Sequence, residues 1–270
     1  MKHIVLLLII GIAGCGSEMN LTKKQPSLMH QIKNGRNIII TGQTITEAID
    51  LVNLLEITPL NPTSGFVTVH SNIYFQDCTF KEDIIATKIA NGETATQFKG
   101  SVAFINCSFE KQVNLRSAVF YGPVDFSQSI FYQGSSFQDA IFMQRATFNG
   151  TIWKEEGKFQ QSRFYHTASF MDSRARGHMM FQKAVFRDDS NFSMSDYSKY
   201  VDFSLSRFSG KSTFNYVKWL DRAVLTNAIW RDDVSFIDGT FGSISLKGSK
   251  CDGDFIMEGK SVNAEYIPMD

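Results

Sequence analysis

The side chains most able to do chemistry in this chain are five histidines, four cysteines and several adjacent pairs of carboxylates. His70, His166 and His178 are not spaced to share one face with a second ligand, as a zinc site requires, and are expected to be surface imidazoles. Glu155-Glu156, Asp188-Asp189 and Asp232-Asp233 could divide general-acid and general-base roles between their members. They recur, however, at corresponding places in a repeat, where they are expected to face solvent. No G-x-S-x-G elbow and no phosphate-binding glycine loop occurs. The expectation is a non-enzymatic protein without catalytic residues, metal site or cofactor.

The elements that carry these residues announce themselves through phenylalanine. The chain has 24 Phe but only 5 Pro, and 43% of its residues are hydrophobic, ample for a core in 270 residues. Lys+Arg and Asp+Glu both number 27, so no strong overall field gathers phosphates or imitates them. Nucleic acid is therefore not an expected partner.

In "FSQSIFYQGSSFQDAIFMQRATF" large rings return at steps of five and six. Extended outward, one site holds Phe104, Leu115, Phe126, Phe137, Phe148, Phe159, Phe170, Phe181, Phe192, Phe203, Phe214 and Phe236 among others, at a period of eleven. A second site, offset by five, holds Phe98, Phe109, Phe120, Phe131, Phe142, Trp153, Phe164, Phe186, Tyr197, Phe208, Trp219, Trp230 and Phe241, with Ala175 where one ring is due. These two sites take 22 of the 24 Phe and all three Trp, counting from Phe75. Between Phe80 and Phe98 about seven extra residues, within "TKIANGETATQF", read as an inserted loop.

An eleven-residue period also suits a right-handed helical coiled coil. On a helix, though, steps of five and six put successive rings about 140° and 120° apart, leaving much of the Phe in water. Two residues before the rings stand small or branched side chains such as Cys107, Ala118, Ser129 and Val124. Residues two apart in an extended chain face the same side, so each short stretch points a small residue and a ring inward and then turns.

"FQDAIF", "FQKAVF", "FINCSF" and "LTNAIW" resemble the pentapeptide-repeat proteins, whose repeat has a small residue two before a central Leu or Phe. The resemblance covers 69–246. It implies an all-β fold, a right-handed parallel β-helix of quadrilateral section. One departure is the residue added in every second repeat, which implies a 22-residue coil with a bulged corner. Phe104, Phe109, Phe126, Phe131, Phe137, Phe142, Phe148, Phe181, Phe186, Phe203 and Phe208 are then structural lattice residues.

The ends are expected to be covered, because an open β-helix leaves strand edges unpaired. Residues 37–68 are read as an N-terminal cap with one helix, from a capping box at Thr44 and Glu47 and an apolar stripe at Ile45, Ala48, Ile49, Val52 and Leu55. Residues 247–270 are read as a C-terminal cap, since the lattice stops after Phe241.

The first residues, "MKHIVLLLIIGIAGC", have a basic start and an apolar run about half the length that spans a bilayer. "IAGC" resembles the bacterial lipobox. That resemblance implies a signal peptide over 1–14, lipidation of Cys15 and a tether over 15–36. Gly16 in place of Asp favours the outer membrane if the source is Gram-negative. Cys78 and Cys107 occupy equivalent small-residue places in adjacent coils, as stacked buried thiols or, in an exported protein, as a disulfide.

Function is read from anchor and array together: a lipid-anchored scaffold or protein-interaction surface in the bacterial cell envelope. Its expected partners are the membrane, through Cys15, and an envelope protein, and rods could pair end to end. Two alternatives stand beside this. Some pentapeptide-repeat proteins mimic DNA and act on gyrase, but those are cytoplasmic and acidic. A glycan-binding β-helix would use outward rings such as Tyr121, Tyr132 and Tyr165. The inserted loop at 87–97 and the stretch "MDSRARGHMMF" are the first candidates for a contact site.

Overall fold

A computed structural model describes residues 27–89 and 92–269. The chain winds into a parallel β-solenoid with four faces, and most strands are two residues long. One coil runs through Val102–Ile105 on the first face, Ser108–Phe109 on the second, Val113–Asn114 on the third and Val119–Phe120 on the fourth. Each strand pairs in parallel with its counterpart 22 residues on, as in Val102↔Val124, Ser108↔Ile130, Val113↔Ser135 and Val119↔Ile141. The first face is a ten-stranded ladder, on the order of 40 Å long at about 4.8 Å per rung.

The alternation of five and six has a backbone cause. The five-residue steps, between the rings of the first and second faces and of the third and fourth, turn through a residue in the left-handed region: Asn106, Ser117, Gln128 and Asp139 lie at φ 51–60°, while the six-residue steps, such as Phe109 to Leu115, turn without one and hold the extra residue. The bulged corners are thus diagonally opposite in the section, two per coil. Asn, Asp and Gly adopt the left-handed conformation readily, whereas larger side chains pay more strain. Met194, Leu205 and Tyr216 nevertheless hold φ 58–60°. Each donates its N–H to the next rung, to Asn215, Thr226 and Ile237 carbonyls at 2.8–3.0 Å, so the corner is part of the ladder.

Inside, the rings form four columns. Along a column they stack almost parallel: Phe126 and Phe148 at 5.5 Å and 4°, Phe142 and Phe164 at 4.6 Å and 0°, Phe181 and Phe203 at 4.6 Å and 2°. Rings from the first and third faces meet edge to face across the axis, as Phe137 does with Phe126 (5.4 Å, 80°) and Phe148 (5.3 Å, 82°). Such pairs add about 0.5–1.5 kcal/mol each beyond area burial. The small residues beside them close their own polar groups: Ser129 Oγ donates to the Phe104 carbonyl (2.7 Å) and Thr151 Oγ1 to that of Phe126 (3.0 Å). Trp153 and Trp219 donate Nε1–H to Ser135 and Ser195, whereas Trp230 Nε1 is buried without a partner.

The N-terminal region, expected as a cap with one helix, holds two helices and three strands. Two short helices flank its strands, α1 (Leu28–Lys33) and α2 (Leu51–Leu54), while β1 (Ile38–Thr41), β2 (Thr44–Ile45) and β3 (Ile49–Asp50) form a first rung on three faces. β1 pairs with Ile73–Gln76, β2 with Thr79–Phe80 and β3 with Ile84–Ile85. Thr44 therefore lies in a strand, not at a cap; Asp50 caps α2 instead, accepting from Asn53 N–H at 3.0 Å. α1 lies within the segment read as tether, and its Leu28 and Ile32 are buried in the core.

The first coil is closed on the fourth face by β4 (Thr58–Asn61) and β5 (Ser64–Val69), an antiparallel pair. In the second coil Thr87–Ile89 pairs antiparallel with Glu93–Phe98, which lies parallel to β5. Both coils thus carry their extra residues at the same corner, before the fourth face. At the other end the ladder continues beyond 246 to Ser261–Ile267. One residue fewer in the coil, seen in Ile229↔Lys250 and Val234↔Phe255, moves the lattice to Leu246, Cys251, Met257 and Val262.

Candidate interaction surface

Because every second residue of a strand turns inward, the lattice Phe cannot contact a partner. Phe104 is 6% exposed, and Phe109, Phe126, Phe131, Phe137, Phe142, Phe148, Phe181, Phe186, Phe203 and Phe208 are at most 1% exposed. What remains for recognition is the outward side chain columns and the corners.

Cys15 lies outside the described residues. Cys78 and Cys107 are buried free thiols. Their Sγ–H groups donate to the Gln76 and Ile105 carbonyls, at 3.2 and 3.4 Å. Burial pushes the Cys107 thiol up to about 12, so it stays protonated and inert at neutral pH.

The histidines stay apart, and among the described residues no three His, Cys, Asp or Glu side chains gather as a metal site would need. His166 Nδ1 lies 3.8 Å from Asp188 Oδ2. Two of the carboxylate pairs are corner devices. Asp188 and Asp232 accept the N–H of the following residue at 2.9 and 2.8 Å, while Asp189 and Asp233 accept Lys211 N–H (2.9 Å) and Asp254 N–H (3.1 Å) from the next coil. The Asp254 N–H first, and Lys211 second, hold the Asp233 carboxyl below its ordinary range. Glu156 pairs with Lys158 at 2.9 Å.

The stretch around Ala175 proves regular outside and compensated inside. Arg174–Ala175 keeps its register with Ile152–Trp153 and Asp196–Tyr197. The missing ring is made up by large neighbours, Trp153, Tyr197 and the fully buried Met179, with Gly157 leaving room for the Met179 sulfur. The insertion at 87–97 contributes the exposed Ile89, on a strand separated from β4 by two strands.

On the third face sits a cluster that sequence reasoning missed. Asp202, 5% exposed, accepts from the Tyr200 hydroxyl, from Gln182 Nε2 at 2.7 Å and from Ser204 N–H at 2.7 Å. Burial and then the Asp202 carboxylate push the Tyr200 phenol above its ordinary range. Asp202 stands in an outward column that also holds Ser136, Lys158, Met180, Val224 and Ser245, so no periodic signal marked it.

Of the outward tyrosines, Tyr121 and Tyr165 share one column of the fourth face, each beneath a cation: Lys99 Nζ is 3.6 Å from the Tyr121 ring and Arg187 4.6 Å from the Tyr165 ring. Tyr132 follows a strand of the second face and does not join them.

With this geometry in hand, comparison with known proteins gives one family. Residues 104–152 match the family described as pentapeptide repeats (9 copies). The match falls within the unbroken eleven-residue array, and with the solenoid it supports a pentapeptide-repeat protein. Neither the curated proteins nor the solved structures give a match. Pentapeptide-repeat solenoids are in general structural or interaction proteins, not enzymes, and this fold is consistent with a scaffold or interaction surface.

Proposed function

We propose that this protein is a non-enzymatic scaffold that holds out the faces of a rigid pentapeptide-repeat solenoid to a protein of the bacterial cell envelope. The observation that carries the reading is the filled interior: four ring columns consume the inward positions, and Asp188, Asp189, Asp232 and Asp233 are engaged in corner hydrogen bonds. Recognition then belongs to flat outer faces, which suit an extended partner better than a small substrate. Anchoring by a lipid on Cys15 rests on the "IAGC" resemblance.

The test is cross-linking in whole cells, followed by affinity capture of the native protein and of Cys15→Ala, with mass spectrometry of what is recovered. A discrete envelope protein recovered with the anchored form alone is expected. Recovery of gyrase, or of the same proteins with both forms, would contradict the reading.

A further inference from the structure

The chain is neutral as a whole, but its charge is not spread evenly over the faces. On the fourth face four successive rungs each carry one arginine, and its position alternates between the two outward columns: Arg163, Arg187, Arg207, Arg231. Arg163 and Arg207 precede the inward ring of their strand; Arg187 and Arg231 follow it. The result is a zigzag of cations with a rise of about 4.8 Å per charge. All four are exposed. Arg231 is paired with Asp252 at 2.6 Å and Arg187 covers Tyr165, but no carboxylate lies within ion-pair distance of Arg163, Arg187 or Arg207 among the described residues. Alongside runs a groove of about 320 Å³, between Lys183, Leu205 and Asn227 at the corner and Val185, Arg207 and Ile229 on the face.

Resting on the reading of the outer faces as the recognition surface, we propose that the fourth face binds a linear acidic polysaccharide of the uronic-acid type. Three features favour that occupant. An extended ribbon of 1,4-linked uronic acids advances by about one pyranose ring per charge and turns its carboxylates to alternate sides, which matches the arginine zigzag in rise and in alternation. Guanidinium groups suit carboxylates because they can bond both oxygens at once. Val185 and Ile229, half-buried on the rungs between, offer apolar contact to the C–H faces of the sugar rings.

Other polyanions fit less well. A planar anionic membrane would also meet the carboxylates of Asp188, Asp189, Asp232 and Asp233, which line the adjoining corner. In a duplex each strand places its phosphates about 3.4 Å apart along the axis, out of step with the rungs. Single strands need open aromatic platforms, and Tyr121 and Tyr165 are already covered by cations.

The experiment is calorimetric titration of the full chain with an oligosaccharide of 1,4-linked mannuronic acid. Neutral mannan of equal length, a single-stranded oligonucleotide and phosphatidylglycerol vesicles are run beside it. Binding of the polyuronate that weakens with added salt, and no binding of the neutral chain, is expected. Arg163→Glu, Arg187→Glu and Arg207→Glu together should weaken it by about tenfold or more, whereas Lys154→Glu with Arg176→Glu on the second face should not. Should the triple variant fail to fold, Arg207→Ala alone should still reduce affinity measurably at an unchanged melting temperature. Absence of polyuronate binding, an equal loss from the second-face variant, or oligonucleotide or vesicle binding at least as tight would overturn the proposal. A native protein that ignores polyuronate yet still captures an envelope protein overturns this site and leaves the scaffold reading standing.

Discussion

Phe137 meets parallel neighbours along its column and perpendicular ones across the axis, so its removal leaves a hole bounded on several sides by rigid rings that cannot close in. Phe137→Ala is expected to cost about 3–5 kcal/mol, read as a lowered urea midpoint. Leu205 illustrates the opposite case, a residue whose conformation suits another side chain. At φ 59° and about half exposed, it holds a strained backbone with little burial in return, so Leu205→Asn should raise stability by about 1 kcal/mol. Cys107 adds a pH dependence. Its folded pKa is raised above the ordinary thiol value, so the native state holds its proton longer than the unfolded chain does. The corresponding stability is fully present below about pH 9 and is lost as pH rises toward 12. Denaturation midpoints across that window should fall, and Cys107→Ala should flatten the decline. Inward residues were legible in the sequence because burial imposes a period. Asp202 and Tyr200 were not, because the outward columns share no rule that makes a tyrosine or aspartate conspicuous.

At the scale of the element, the corners decide where the chain accepts change. Thirteen extra residues in the first coil and seven in the second leave at the corner preceding the fourth face, where each finishes as an antiparallel pair laid on that face. Other corners stack backbone on backbone: a Cβ added at Gly177 would come within 2.2–2.7 Å of the Glu155 main chain. Gly177→Ala should therefore destabilise by about 1–3 kcal/mol, seen in the melting curve, although the residue lies on the surface. The N-terminal elements were misread for a specific reason. Ile45 and Ile49 fit a helical stripe, but the same residues also fit successive inward positions of a rung, and pairing with Phe80 and Ile84 decided the contest. The C-terminal rungs were hidden by a single missing residue and by the replacement of rings with Leu246, Cys251, Met257 and Val262.

The whole molecule is a one-dimensional stack, in which each coil touches only its neighbours and stability accumulates along the axis. The architecture was readable because thirteen units of eleven run from Phe98 to Phe241 without a slip. The face that carries the arginine zigzag was not, because a net charge of zero conceals how charge is distributed and the alternation appears only once the rungs are in register. The central claim is that this register is continuous, including the rung where Ala175 replaces a ring. Hydrogen exchange of the ladder amides, followed by mass spectrometry on the folded protein, tests it most directly. A continuous ladder gives strong protection from 98 to 241, greatest near the middle, grading toward both ends, with no gap at 171–181. Rapid exchange at that rung, or an abrupt boundary splitting the array into separately opening blocks, would contradict it.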